Sequence, residues 1–420
     1  MNTGSKPRIL IVGGGFGGIE TALGLKDVAD QYQVTLLSDK TYFEYYPALY
    51  KVVTGALPTE VSIPLWMIFD QTAITVEHDR AVTFIPEEKR VIGESGSHYE
   101  YDYLVLAIGS QTNYFSIPGL AEHSLSFKSV HEALRLKNHF YRLFTQGNGV
   151  KEELVSLLHI VIVGAGPSGV ELAGDLKEYL QTLAEKHHVD PSLVTIDLIE
   201  SNPRVLPSLP ESVSRMAEAR LRKLGINIFT NRTLMQKDIE EVHLRDMQMK
   251  TETVIWTAGT KINEQFAKIP ALAFSARKRV VVDEYLRVPE LSNFFIVGDG
   301  AETPYSGLAQ TAIHNGKYVA QAIKKVITGK TLTPYNPHKG AYIIPIGSRW
   351  AILAMNRFRA YGFLPWVLRT LVDVRYYAHI LPFRRLWYVL REGKKYGGIA
   401  GGCKNEEECL PPEPPKHHEK

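Results

Sequence analysis

Short runs of apolar, mostly β-branched residues, each closed by glycine, recur along the chain: ILIVGGGFGG from Ile9, YLVLAIG from Tyr103, HIVIVGAGPSG from His159, VIWTAG from Val254 and FFIVGDG from Phe294. Four or five apolar residues without alternation are the pattern of a strand covered on both faces, as in a parallel sheet. Behind two of these runs, IETALGL and VELAGDL place apolar residues at three- and four-residue spacing, so the period changes to that of a helix packing one face. Strand, glycine turn and helix, used twice, predict an α/β fold with two Rossmann-like units. From about Tyr342 the pattern changes again. There RWAILAMNRFRAYGFLPWVLRTLVDVRYYAHILPFRRLWYVLREGKK carries apolar residues at helical spacing, which predicts amphipathic helices.

Both glycine turns fit G-x-G-x-x-G, the first with Gly13, Gly15 and Gly18, the second with Gly164, Gly166 and Gly169. In such a turn the first glycine makes the bend, the second admits a pyrophosphate against the backbone, and the third lets helix pack on strand. The anion then meets the free N–H groups of the helix N-terminus. An acid at the end of the next strand binds the ribose hydroxyls; the strand in VTLLSDK ends in Ser38-Asp39 in the first unit, and VTIDLIE ends in Glu200 in the second. Two complete units imply two dinucleotides. Glu200 would also repel a 2′-phosphate, favouring NADH over NADPH.

The combination of both turns with D-x-L-x-x-A-x-G from Asp102 to Gly109 and V-G-D at Val297 to Asp299 resembles the two-dinucleotide-binding flavoproteins of glutathione-reductase-like architecture. That resemblance implies FAD on the first turn, NADH on the second, and Asp299 on the flavin ribityl chain. The chain has no cysteine before Cys403, which excludes the dithiol chemistry of the disulfide reductases and the cysteine chemistry of sulfide:quinone reductases. More closely, YFEYYPALYKVVTG, GPSGVELAG, VIWTAG and GLAQTAIHNGKYVA together resemble the type II NADH:quinone oxidoreductases, single-chain non-proton-pumping enzymes attached to a membrane surface. The likeness runs from about Arg8 to about Arg391.

This family implies an FAD-dependent enzyme that passes hydride from NADH to flavin N5 and then two electrons to a membrane quinone of ubiquinone or menaquinone type. It places FAD against Gly13, Gly15, Phe16, Gly17, Gly18, Ser38, Asp39, Pro47, Val82, Gly109, Asp299, Ala309 and Gln310, and NADH against Gly164, Gly166, Gly169, Glu171, Glu200 and Gly259. Glu171 corresponds to the glutamate between the nicotinamide and quinone sites; a carboxylate that only offsets the helix dipole is the plainer reading. There are two departures: the first ribose acid aligns with Ser38, leaving Asp39 one place later, and the second glutamine of A-Q-x-A-x-Q is His314. On a helix Gln310 and His314 share a face. If that face meets the quinone, a histidine titrating near neutrality would be a proton donor; otherwise the two form a hydrogen-bonded pair without chemistry.

Bulk properties add bounds. A chain of 420 residues should hold more than one domain. The expected division is an FAD domain of 6–115 and 262–338, an NADH domain of 116–261 inserted in it, C-terminal membrane-surface helices over 339–396, and a disordered tail over 397–420. The 45 % hydrophobic and 22 % charged composition is that of a globular protein, and the net charge of +3 says little by itself. In the arm, Trp350, Phe358, Trp366, Tyr376, Phe383 and Trp387 interleave with Arg349, Arg357, Arg359, Arg369, Arg375, Arg384, Arg385 and Arg391, against only Asp373 and Glu392. This mixture suits an anionic membrane surface. A homodimer interface is the second reading, and nucleic acid is disfavoured because no base-reading motif accompanies the charge. No apolar run reaches the roughly 18–20 residues of a membrane span, so the expected location is peripheral, on the cytoplasmic face of a membrane. Cys403, Cys409, His417 and His418 fit no standard metal spacing, and no metal is expected. Two rival functions remain at this stage: a soluble NAD(P)H-dependent flavoprotein reductase of a small electron carrier, and an NADH-sensing flavoprotein of the apoptosis-inducing-factor type.

Overall fold

The structure, a computed structural model, describes residues 6–146 and 151–395; the tail over 397–420 lies outside the described residues. In chain order, the principal elements of the first unit are β1 (Arg8–Val12), α1 (Phe16–Gly24), β2 (Gln33–Ser38), α2 (Leu49–Val53), β3 (Thr75–His78) and β4 (Tyr103–Leu106). Next come β5 (Leu125–Ser126), α3 (Val130–Gln146), β6 (His159–Val163), α4 (Pro167–Lys186), β7 (Thr195–Ile199), β8 (Asn227–Phe229) and β9 (Thr253–Trp256). The chain then returns through β10 (Arg287–Val288), β11 (Leu291–Ile296) and α5 (Ala309–Ile327).

Two sheets result. One has strand order β10-β11-β4-β1-β2-β3, parallel except for the antiparallel edge strand β10. The other, β5-β9-β6-β7-β8, is parallel throughout. One face of each sheet packs on helices and the other on a small antiparallel sheet, residues 81–100 against Leu10, Val12 and Leu104 and residues 234–250 against Val161, Val163 and Val254; with both faces covered, Ile9 to Val12 and Ile160 to Val163 are all buried. The chain leaves the first sheet through residues 110–112 and re-enters through 260–262; these two segments pair antiparallel, Ser110 opposite Ile262 and Thr112 opposite Thr260. The second sheet is therefore carried on a two-stranded stem.

The C-terminal region differs from the pattern reading. Instead of helices from about Tyr342, three antiparallel strands come first: β12 (Tyr342–Pro345), β13 (Ala351–Met355) and β14 (Phe358–Gly362). Left-handed residues at Gly347 and Arg349, and at Asn356, turn the two hairpins and break any helix there. Only then do α6 (Phe363–Ile380) and α7 (Phe383–Lys395) follow. Among the described residues, no helix is long and apolar enough to cross a membrane.

Pro365, Arg369, Asp373, Tyr377 and Ile380 form the buried stripe of α6, spaced by three or four residues as a docking helix requires. Arg369, which the sequence pattern grouped with lipid-facing arginines, is instead 7 % exposed and paired with Asp373. It also donates to the Pro47 carbonyl at 2.6 Å. Arg385 likewise turns inward, pairing with Asp70 and donating to the Met67 carbonyl at 2.6 Å. A guanidinium on a helix near the body of the protein finds more acceptors there than in the interface. Large apolar side chains also face outward: Leu364 is 69 % exposed, Leu371 57 %, Phe383 80 % and Trp387 63 %.

Candidate active site

The two glycine turns are built alike. Gly13 and Gly164 hold φ of +112° and +108°, which L side chains rarely adopt. A Cβ added at Gly18 would lie 1.8 Å from the Gly13 carbonyl oxygen, and one at Gly169 would lie 1.9 Å from that of Gly164. Helix and strand touch there, as the third glycine of the motif requires. At Gly15 and Gly166, by contrast, an added Cβ would meet nothing within 4 Å. These two positions are also the N-caps of α1 and α4, and neither helix start has a side-chain cap. Uncapped N–H groups facing open space fit a pyrophosphate.

One cavity of about 930 Å³ joins both units. Its wall takes in Gly13, Gly15, Phe16 and Gly17 of the first turn, Ser38 and Asp39 beyond β2, Pro47, Gly109, Asp299, and Ala309 with Gln310 at the start of α5. Pro167, Ser168, Glu171, Trp256 and Gly259 close it from the second unit, and Arg369, Val372 and Tyr376 from α6. Gly18 lies beneath the wall, in the contact already described. Val82 follows Ala81, which lines the cavity, but is not itself part of the lining.

Ser38 is buried, and its hydroxyl turns back on the Lys40 backbone, donating to the carbonyl at 2.8 Å. Asp39 is exposed at the rim, 3.7 Å from Arg80, and is the carboxylate available there. In the second unit Glu200 is buried under its glycine turn: Oε2 accepts from the Ala165 N–H at 2.9 Å and Oε1 from Asn202, whose backbone N–H lies at 2.9 Å and side-chain amide at 2.6 Å. It thus braces the turn as well as facing it. Gly164, Gly166, Gly169 and Glu200 stand outside the cavity wall proper.

Asp299 accepts a hydrogen bond from the Ser110 hydroxyl, which in turn accepts from Lys128 Nζ at 2.6 Å. Burial pulls the Lys128 ammonium below the ordinary lysine range, with Asp299 opposing. Neither Ser110 nor Lys128 carries a local sequence signal, because the trio assembles from β4, the segment after β5 and the end of β11.

Glu171 sits on the first turn of α4, with its carboxyl pushed up to about 8, first by burial; Arg369 opposes the shift, and Asp175 and Asp373 add to it. Asp175, one turn on, is pushed up to about 7, again by burial first and then by Glu178. Tyr45 donates to Asp373 at 2.6 Å, and Lys51 lies 3.4 Å from the same carboxylate. A group of carboxyls and cations thus lies where α2, α4 and α6 converge. Beside it Phe16, Tyr45 and Tyr376 pack ring to ring, with centroids 5.3–5.7 Å apart.

Gln310 and His314 share a face of α5 at i,i+4, but only Gln310 meets the cavity. Gln310 lines the cavity and donates from its amide to the Ala341 carbonyl at 3.0 Å. His314, one turn along α5, lies outside the wall, its Nδ1 3.3 Å from the Tyr335 hydroxyl and its ring 6.3 Å from that of His338. Burial, then His338 and Lys317, lowers its pKa below the ordinary histidine value. The cavity takes α5 residues up to Ile313, and the segment before β12 covers His314.

Residues 7–316 match the family model of the pyridine nucleotide-disulphide oxidoreductases. The type II NADH:quinone oxidoreductase of Mycobacterium tuberculosis is 28 % identical over 391 residues, covering 88 % of this chain and 84 % of that protein. The Staphylococcus aureus enzyme of the same description is 25 % identical over 361 residues, covering 82 % and 88 %. In fold, the chain is similar to NDH2 from Plasmodium falciparum in complex with NADH, with a TM-score of 0.84 at 18 % identity, covering 94 % of this chain and 99 % of the other. The sulfide:quinone oxidoreductase of Aquifex aeolicus follows the same fold, with a TM-score of 0.72 at 22 % identity and coverage of 94 % and 92 %. With a family match spanning residues 7–316 of the chain, this protein belongs to the pyridine nucleotide-disulphide oxidoreductase family.

Proposed function

We propose that the protein is an FAD-dependent, non-proton-pumping NADH:quinone oxidoreductase. The observation that carries this reading is the single cavity running from the first glycine turn to Glu171 and Gly259 of the second unit and to Tyr376 of α6. Such a cavity lets one flavin meet a nicotinamide on one side and a second acceptor on another. Residues 6–115 and 262–338 then act as the FAD domain, 116–261 as the NADH domain, and α6 with α7 as the docking arm.

When bound, FAD supplies the hydride acceptor and two-electron donor between the two substrates. The α1 N-terminus and Gly15 would hold its pyrophosphate, Asp39 its ribose, and Asp299, steadied by Ser110 and Lys128, its ribityl chain. Ala309 and Gln310 bring the α5 N-terminus, with its partial positive charge, to the end where reduction builds negative charge. Gly166 and the α4 N-terminus would seat the NADH pyrophosphate, with Glu200 behind the turn as the acid that disfavours a 2′-phosphate. Glu171, protonated at neutral pH by its burial, holds a proton between the nicotinamide and quinone ends. Gln310 orients the acceptor, and His314 has no part in the proton step.

The outward row of Leu364, Leu371, Phe383 and Trp387, with Arg375, Arg384 and Arg391 exposed nearby, supports attachment to an anionic membrane surface. A soluble reductase of a small carrier has no use for such a row; a second copy of the chain is the competing cover. The test is steady-state NADH oxidation by the flavin-loaded protein with a panel of quinones, with and without anionic liposomes. Turnover stimulated by liposomes supports the reading. Ferricyanide reduction with no quinone turnover would sink it, and absence of turnover with either acceptor would favour a sensing role.

A further inference from the structure

Where α1 packs against α5 and α6 lies a buried carboxylate that the glycine turn does not explain. Glu20 is 1 % exposed, within the second turn of the helix that holds Gly17 and Gly18. Its Oε2 is 3.0 Å from His379 Nε2 and 3.6 Å from Lys317 Nζ, two groups whose side chains are 44 % and 47 % exposed. Its Oε1 is buried and has no hydrogen-bond partner. The hydroxyl of Tyr376, three residues before His379 on α6, is also buried; it makes no well-formed hydrogen bond but lies near enough to Glu20 to be coupled to its carboxylate. Tyr376 itself lines the cavity and packs on Phe16 and Tyr45.

A salt bridge serving only to dock α6 would close both carboxylate oxygens. Here one oxygen is paired toward solvent, while the other makes no well-formed hydrogen bond and has the phenol at the cavity wall as its neighbour. Buried polar atoms left in this way call for an explanation. Tight packing seals the remaining side: a Cβ at Gly316 would fall 2.5 Å from the Gly17 carbonyl and 2.9 Å from Glu20 Cβ.

We propose that His379, Glu20 and Tyr376 form a proton inlet, through which the Tyr376 hydroxyl is recharged from solvent as it donates to the quinone being reduced. This rests on the quinone reading above. The balance is NADH plus one proton plus quinone giving NAD⁺ and quinol. Hydride transfer carries both electrons and one hydrogen nucleus into the site, and the second proton comes from solvent. It enters at His379, passes to Glu20 Oε2, is presented from Oε1 after the carboxyl turns over, and replaces the proton that Tyr376 has given to a quinone oxygen. Burial, then Glu20, holds the Tyr376 phenol well above its ordinary pKa, so it stands ready in the protonated form. The charged and titratable groups facing Glu20 are His379 and Tyr376 from α6 and Lys317 from α5.

The experiment uses the full-length, flavin-loaded protein and Glu20→Gln, Tyr376→Phe and His379→Gln variants. Each is assayed with a short-chain quinone and with ferricyanide, which takes electrons without protons and serves as the internal reference. Glu20→Gln and Tyr376→Phe should each lower the ratio of quinone to ferricyanide turnover by about tenfold or more. The double variant should be no slower than the worse single one, since the two act as a unit. The solvent deuterium isotope effect on the quinone step should rise in Glu20→Gln, and His379→Gln should shift the alkaline limb of the wild-type pH profile. If the variants keep the wild-type ratio, pH profile and isotope effect, the inlet is overturned while the function stands. A fall in both acceptors together, with a lower melting temperature, identifies a docking role and also overturns it. Wild-type protein that reduces ferricyanide but no quinone removes the function and the inlet together.

Discussion

Replacing Glu171 by Gln tests the electrostatics of the site without requiring any substrate. The folded protein raises this carboxyl from 4.5 to about 8, mainly by burial. Between those two values the folded state holds a proton that the unfolded chain has released, so wild-type stability falls as pH rises through the window and levels off above about 8. At about 1.4 kcal/mol per pKa unit the full penalty approaches 5 kcal/mol. Glu171 is half-buried and keeps contact with the cavity, and solvent screening reduces this to about 3 kcal/mol. Glutamine fills nearly the same volume and does not ionise. The variant should therefore match wild type near pH 5 and exceed it by about 3 kcal/mol near pH 9. For a chain of this length that is a melting-temperature gain of roughly 3–4 °C at pH 9. Thermal melts of flavin-loaded protein at a series of pH values provide the measurement. A stability difference that does not grow between about pH 5 and 9 would refute the placement of a desolvated, neutral carboxyl at this position.

Further expectations follow from the same geometry. Gly18→Ala drives a Cβ into the Gly13 carbonyl, so the purified protein should lose most of its flavin, read as the ratio of visible to ultraviolet absorbance; Gly169→Ala should retain flavin and raise the KM for NADH at least tenfold. Arg369→Met leaves Asp373 buried with Lys51 and Tyr45 as its remaining partners and should cost about 3–5 kcal/mol in chemical denaturation, most of it regained by adding Asp373→Asn. Exchanging Leu364, Leu371 and Trp387 for serine should abolish co-sedimentation with anionic vesicles and leave ferricyanide turnover at the wild-type level. Glu200→Gln should raise the ratio of kcat/KM for NADPH to that for NADH; an unchanged ratio would mean that Glu200 only braces its turn through Ala165 and Asn202.

Those features whose causes are local were legible in the chain alone. A glycine with φ near +110°, a glycine whose Cβ would strike a carbonyl five residues back, and an unmixed apolar strand before each are decided within a dozen residues, and both strand, glycine-turn and helix units stand as the spacing predicted. The parallel strands followed from repeating that unit, whereas the meeting of both units at one cavity did not. Tertiary structure decided the rest. Helical spacing put Gln310 and His314 on one face, but the cavity takes α5 residues only up to Ile313 and the segment before β12 covers His314. Aromatic and basic residues after Tyr342 read as one amphipathic arm, yet left-handed residues at Arg349 and Asn356 fold its start into hairpins, and Arg369 and Arg385 turn inward to acceptors on distant segments. Composition cannot distinguish an arginine facing lipid from one facing a buried aspartate, because the difference lies in what sits across the interface. The same holds for Glu20, an unremarkable helix residue in the sequence, which becomes a buried carboxylate beside the Tyr376 phenol only when α6 closes over α1.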